Sequence, residues 1–483
     1  MNIESLLKGI GPLQISRSAY DTAWVARLAT KGELLGKKAA EWLKANQLPD
    51  GGWGAPAPCY YHERLISTLS AIIALVSLGE SPNSSSIQRA VSAITNAIAK
   101  LASDHAGATV GFEMLAPTLM AEANRVGIDF GKAKLPANLE YHRRAKLAVL
   151  PHKVINRFFT PSFSAEMVGS ELNLLDVDNL QSDNGSVSYS PSATAFFVFQ
   201  VKPGDRLALQ YLHQVADQDG AVPYVGPIEV FDRAWALWNI SLIGDLDAQI
   251  YALCQPHLDF LQDEWQIGRG IASAKGLLLL DGDDTAVTMT ALARFNRQID
   301  LPALFSYEAP YHFRCYPLES DPSVSTNVHI LEAMRHAGLT LEHPSVQKIL
   351  KFLDVVRLNS PFWTDKWHTS PYYTTAHLII ACAGFVDELV ERSIDWLLAT
   401  QRYDGSWGFY TSTAEETAYA LQALSVWQRA GNPIPRQAIR SGAAWLREHL
   451  DIPHLPLWIG KSLYCPAVAV NSAVLSALAL SEL

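Results

Sequence analysis

The chain has 483 residues, a formal net charge of -10, and 49% hydrophobic against 18% charged residues. Its 13 Trp, 17 Tyr and 17 Phe call for a large apolar interior, which excludes disorder, and an acidic balance without a Lys/Arg cluster excludes nucleic acid as a partner. Five scattered cysteines without a CxxC pair, Cys59, Cys254, Cys315, Cys382 and Cys465, point to reduced thiols. The N-terminus lacks the basic and apolar regions of a signal peptide, and no apolar run approaches the ~20 residues that cross a bilayer. A cytoplasmic protein without stable membrane insertion is expected.

In chain order, "AAEWLKAN" (39–46), "RLISTLSAIIALVSLG" (64–79), "SIQRAVSAITNAIAKLA" (86–102), "TAVTMTALARFNRQ" (285–298), "TAYALQALSVWQRAG" (417–431) and "SGAAWLREHL" (441–450) place apolar residues at three- and four-residue spacings, which predicts helices. Between such segments a turn unit recurs: "QLPDGGWG" (47–54), "QSDNGSV" (181–187), "DQDGAVP" (217–223) and "QRYDGSWG" (401–408). Its glycine supplies a tight turn, after which an aromatic or apolar residue packs back on the next helix. A second unit opens helices: "DDTAVTMTAL" (283–292) and "EETAYALQAL" (415–424) share acid-acid-Thr-Ala, with "PSATAFFVF" and "TTAHLIIA" as looser cousins. Helix, turn, helix repeats of this kind predict an all-α chain of two (α/α) barrels, divided near residue 225.

The stretch "LLLLDGDDTAVTMTAL" (277–292) sets Asp281, Asp283 and Asp284 directly after four leucines. An acidic pair in the first turn of a helix is favoured by the macrodipole, and Glu415-Glu416 has the same placement. Asp281, two residues upstream, has no evident capping purpose and adds like-charge repulsion. Crowded carboxylates cannot all ionise, so one keeps a proton. In an aromatic, water-poor cavity an alkene or epoxide would be its acceptor, and aromatic faces would stabilise the resulting carbocation.

"DGDDTA" matches the DxDDTA motif of class II terpene cyclases, and "SAYDTAWVAR" (18–27) is similar to the N-terminal signature of class II diterpene cyclases such as copalyl diphosphate synthases. The resemblance continues through "YHERLISTL", "GFEMLAPTLM", "LQSDNGSVSYSPSATA" and "LWIGKSLYCP". "PSVSTNVHIL" and "DKWHTSPYYTTAHLI" look closest to bacterial members, those forming halimadienyl or kolavenyl diphosphate among them. The resemblance implies a βγ didomain: 1–23 joining the β domain, 24–225 the γ domain, and 226–483 the β domain. It implies an isomerase that protonates geranylgeranyl diphosphate and, lacking a DDxxD motif, retains the diphosphate. By motif, Asp283 would be the general acid, oriented by Asp281 and Asp284, with Thr285 a hydrogen-bonding residue at the helix start.

The resemblance further implies that Lys461 and His329 bind near the diphosphate, that Trp367 contacts substrate, and that Mg²⁺ enters near Asp104 and Glu113, without the dense acidic run of plant members. Phe163 and Tyr224 stand where copalyl-forming plant members carry a His-Asn pair that holds the quenching water. Losing that base favours a rearranged halimane or clerodane skeleton. The alternatives are an unrearranged copalyl product, a farnesyl diphosphate substrate, or a non-catalytic (α/α) binding scaffold. Squalene-hopene cyclases share DxDD but not SAYDTAW, and no Asp, Cys and His set has zinc-ligand spacing. A downstream class I terpene synthase or a phosphatase would consume the product.

Overall fold

Helices with one apolar side must bury it against other helices, and here they do so in two concentric layers. The computed structural model describes residues 1–11, 13–319 and 321–482; Pro12, Ser320 and Leu483, which fall within the expected domains, lie outside the described residues. In the C-terminal half, helices Glu229–Ser241, Gly282–Arg294, Val324–His336, Pro371–Cys382, Ala414–Arg429 and Ala467–Ser481 each pack on the next, and the last packs on the first. Outer helices Ala248–Glu264, Pro344–Arg357, Glu391–Thr400 and Arg436–Glu448 return the chain between them. The N-terminal helix Ile3–Gly9 lies against Ala248–Glu264 and Ala467–Ser481 and so belongs to this outer layer.

The other ring is formed by Ala19–Ala26, Tyr61–Ser77, Phe112–Arg125, the irregular 3₁₀ segment Thr160–Val168 and Pro191–Phe196, which closes back on Ala19–Ala26. The buried apolar residues fall accordingly into two large clusters, one running from Ala19 to Val222 and the other from Val230 to Leu480 with Leu7. Ala19, Tyr20 and Ala23 pack in the first cluster, whereas Leu7 packs in the second. Among the described residues, no helix is long and apolar enough to cross a membrane.

The turn unit has one geometry at the three repeats that begin with Gln. Gln47, Gln181 and Gln401 donate from Nε2 to the carbonyls of Gly51, Gly185 and Gly405 at 2.8–2.9 Å, and those glycines have φ of +90°, +87° and +93°. The indoles of Trp53 and Trp407 donate to Leu43 and Leu397 carbonyls at 2.8 Å, which ties each turn to the outer helix before it. Their backbone N–H groups donate to the hydroxyls of Thr68 and Thr417 on the inner helix that follows. Ile271 donates to Thr285 in the same way at 3.0 Å, so the Thr of the acid-acid-Thr-Ala unit is a structural clasp. Trp363 repeats the arrangement with Leu353 and Thr375, although its segment lacks the Asp-Gly signal.

A two-stranded hairpin, Trp458–Ile459 with Leu463–Tyr464, carries the second ring toward the first. At its tip a Cβ on Gly460 would lie 2.2 Å from the Tyr224 ring, so only glycine lets that ring lie against the hairpin backbone.

Candidate active site

The three aspartates sit at the start of the Gly282–Arg294 inner helix, and the structure corrects one sequence expectation. Asp281 does cap: it is the N-cap, with φ -136° and ψ 155°, and its Oδ1 accepts from Asp284 N at 2.7 Å. The inner helices beginning after Ser18, Ser190, Ser323, Ser370 and Thr413 use a hydroxyl at this place. A carboxylate there performs the same capping and leaves a second oxygen over. Asp281 Oδ2 and Asp284 Oδ1 are buried without a hydrogen-bond partner.

The acids of the sister helix accept more hydrogen bonds, although Glu415 Oε2 is likewise buried without a partner. Glu416 accepts from Ser370 Oγ, Phe409 N and Thr413 Oγ at 2.5–2.7 Å, and Glu415 Oε1 accepts from Trp458 Nε1, Tyr419 Oη and His368 Nε2 at 2.7–3.2 Å. Unsatisfied carboxylates in a buried cluster hold protons instead. Burial first, and the other aspartates next, push Asp281 well above the carboxylate range and Asp284 up to about 7.

A carboxyl raised in the folded state binds a proton that the unfolded chain has lost, so its contribution to stability is complete below the ordinary carboxylate range and disappears as pH rises through about 7. Replacing Asp284 by the neutral isostere Asn should therefore flatten the fall in Tm between about pH 4 and pH 7. Parallel melting curves across that range for the two proteins check this.

Of the three, Asp283 keeps an accessible side chain, 16% exposed, and its Oδ1 lies 2.7 Å from His329 Nδ1. His329 is thus joined to the carboxyl cluster by a direct hydrogen bond. It stands on the Val324–His336 helix, which packs beside the triad helix, and is itself buried. From it an unbroken aromatic line runs toward the other ring. Trp235 lies 5.2 Å from His329, Trp458 5.4 Å from Trp235, Tyr464 6.2 Å from Trp458, Tyr224 4.7 Å from Tyr464, and Phe163 5.3 Å from Tyr224, all between ring centroids. Tyr373, 5.0 Å from Trp458, and Phe231, 5.7 Å from it, thicken this wall. Phe163 and Tyr224 are thus joined to the triad by a chain of mostly edge-to-face aromatic contacts. Trp367 stands apart from this line: its ring meets Tyr316 at 6.5 Å, and burial, then Asp281, raises the Tyr316 phenol.

Lys461 has another task than the expected phosphate contact. Its ammonium is fully buried at the hairpin tip and donates to Phe163 O at 2.8 Å, Glu166 Oε1 at 2.9 Å, Ser190 Oγ at 2.7 Å and Ser192 Oγ at 2.5 Å. Three N–H groups face four acceptors, so none is left for a ligand. Nearby, Ser18 Oγ lies 2.8 Å from Ser462 Oγ and donates to Asp21 Oδ2 at 2.6 Å. The cluster bolts the two rings together.

The expected metal carboxylates are also committed elsewhere. Asp104 accepts from Tyr61 N, His62 N and His62 Nδ1 at 2.6–3.0 Å, capping a helix whose N-cap residue, Tyr60, offers no side-chain hydrogen bond. Glu113 pairs with Lys146 at 2.6 Å. These two do not fit a protein-built magnesium cage, and among the described residues no group of three or more His, Cys, Asp or Glu could hold a metal ion.

Sequence reading missed His377, Tyr373, Trp235, Trp458 and Glu166. A signal existed for two of them: Tyr373 and His377 are four apart in "YYTTAHLI" and so share one helix face.

Comparison with known proteins agrees with this geometry. Residues 317–453 match the family model described as squalene-hopene cyclase C-terminal domain. The chain is 44% identical over 482 residues to the "Type B diterpene cyclase" of Mycobacterium tuberculosis, covering 97% of this chain and 96% of that protein. It is 31% identical to an "Ent-copalyl diphosphate synthase" of a Streptomyces species, covering 97% and 92%. Among solved structures, the ent-copalyl diphosphate synthase of Streptomyces platensis superposes with a TM-score of 0.81 at 29% identity, covering 100% of this chain and 98% of that one. A triad of crowded carboxyls, an aromatic wall across two (α/α) rings and full-length identity of this level agree: the chain belongs to the bacterial class II diterpene cyclases.

Proposed function

We propose that the enzyme protonates the terminal alkene of geranylgeranyl diphosphate, closes two rings and releases a bicyclic diterpenyl diphosphate of rearranged, halimadienyl or clerodane type. The single observation that carries this reading is Asp283, the accessible member of a buried triad, facing a wall of π surfaces. Asp283 delivers the proton. Asp281 and Asp284, whose own ionisation is disfavoured first by burial and then by the neighbouring aspartates, stand beside it at the helix start. The cation then travels along Trp235, Trp458, Tyr464 and Tyr224, where faces stabilise it and offer water no foothold.

The proton that ends the reaction must leave the hydrocarbon to some acceptor. Neither Phe163 nor Tyr224 supplies a base: one has no heteroatom, and burial keeps the Tyr224 phenol neutral. A cation without an early acceptor persists through hydride and methyl shifts, which supports a rearranged skeleton. The identity to a "Type B diterpene cyclase" supports a C20 substrate, and the copalyl diphosphate synthases among the relatives keep an unrearranged product as the rival.

Magnesium would arrive bound to the diphosphate, since Asp104 and Glu113 are engaged.

Incubation with geranylgeranyl diphosphate and Mg²⁺, dephosphorylation, and identification of the alcohols by mass spectrometry and NMR tests this. A halimane or clerodane alcohol is the expected outcome. A labdane alcohol would overturn the rearrangement, and recovery of geranylgeraniol alone would overturn the C20 substrate and direct the assay to farnesyl diphosphate.

A further inference from the structure

Behind His329 stands a second buried imidazole that the reaction as described does not use. His377, on the Pro371–Cys382 helix, places Nδ1 2.8 Å from His329 Nε2, while His329 Nδ1 meets Asp283 Oδ1 at 2.7 Å. We propose that His377 is a positioning residue: it donates from Nδ1 to His329 Nε2, which locks the His329 proton on Nδ1, turned toward Asp283 Oδ1, and leaves the acid's own proton on Oδ2 for the substrate. The inference rests on the reading of Asp283 as the acid.

The argument is one of proton placement. Each of the two hydrogen bonds holds one proton, and a neutral imidazole carries one. If His377 carried its proton on Nε2, that N–H would be orphaned, because His377 Nε2 is buried without a partner. Rings surround His377: Trp238 at 4.7 Å, Tyr373 at 4.5 Å, Tyr419 at 5.3 Å and Trp235 at 5.5 Å. An orphaned buried N–H is rarer in proteins than an idle acceptor, so the proton belongs on Nδ1, with the idle lone pair facing the cage. Burial, then the neighbouring His329 and His368, holds His377 neutral, consistent with a single proton.

The opposite tautomer of His329 would offer Asp283 a bare nitrogen. The acid would then donate to its own neighbour rather than to an alkene. The dead end at Nε2 also separates this role from a proton relay: among the described residues no partner meets His377 Nε2 to hand a proton on, so the ring can set direction but not supply.

Two measurements decide it. Long-range ¹H–¹⁵N correlation on histidine-labelled wild-type enzyme, assigned with a His329→Gln sample, should show His329 protonated at Nδ1; protonation at Nε2 overturns the proposal without recourse to any His377 variant. His377→Asn places an amide N–H near the Nδ1 position, whereas His377→Phe fills the cage and offers no donor. The Phe variant should lose about tenfold to a hundredfold in kcat with KM within about twofold, and the Asn variant should recover most of it. Equal loss in both, with equal loss of Tm, would mean that His377 only fills space and would overturn the lock. A failure of the acid assignment would look different: Asp283→Asn would keep its activity while the His329 spectrum stayed that of the Nδ1 tautomer.

Discussion

Asp283→Asn is expected to lower kcat by about 10³–10⁴-fold while leaving the fold and substrate affinity near wild type. Asn keeps the size of the side chain and can still accept from His329 Nδ1, which lies 2.7 Å from Asp283 Oδ1, so the loss isolates the transferable proton. At 1.36 kcal/mol per tenfold, the barrier rises by about 4–5 kcal/mol. Single-turnover rates with geranylgeranyl diphosphate measure it, and circular dichroism checks that helix content is retained. Asp281→Asn should act less: it preserves a capping oxygen for Asp284 N and removes one source of repulsion. Comparable turnover in wild type and Asp283→Asn would sink the protonation mechanism.

The second large effect falls on Lys461 and is one of stability. Lys461→Met leaves Glu166 buried among Tyr20 and Ser192 hydroxyls with its counter-charge gone, and Glu166 Oε2 already has no partner. Removing one member of such a pair costs about 3–5 kcal/mol, most of it the cost of an uncompensated buried charge. The expected result is a Tm lower by several degrees, with KM for the diphosphate substrate unchanged in the protein that remains folded. The double variant Lys461→Met with Glu166→Gln should regain part of the loss, because the two residues are coupled. A large rise in KM at unchanged Tm would instead restore the phosphate-binding role and refute the bolt. The bolt joins residues of both rings, so its loss should loosen them together.

The carboxyl triad, the acid-acid-Thr-Ala unit and the Gln, turn, Asp-Gly repeat were all legible in the chain because each is local. A helix start lies within four residues, and a Gln that donates to a glycine carbonyl four positions on needs no distant partner. Even so, local reading erred at Asp281, because capping depends on which residue falls at the boundary, and a helix opening at Asp283 instead of Gly282 leaves Asp281 one residue outside the cap. Trp363 repeats the turn geometry without the Asp-Gly signal, so only its bonds to Leu353 and Thr375 reveal it.

Roles that depend on partners lay beyond the sequence. His329 and Lys461 were both sent to the diphosphate because each is a polar residue at a position shared with related chains. Packing shows the partners they meet: His329 meets an acid 46 residues away, and Lys461 meets a glutamate 295 residues away. Asp104 and Glu113 show the same limit, since an acidic residue looks the same in sequence whether it meets a cation, caps a neighbouring helix or pairs with a lysine. Short-range periodicity and turn chemistry thus specify the helices, their grouping into repeated pairs and the presence of an acid cluster. Which oxygen keeps its proton, which ammonium is sealed, and which ring faces the acid follow from burial and from helices brought together across hundreds of residues, where desolvation and partner geometry set the chemistry.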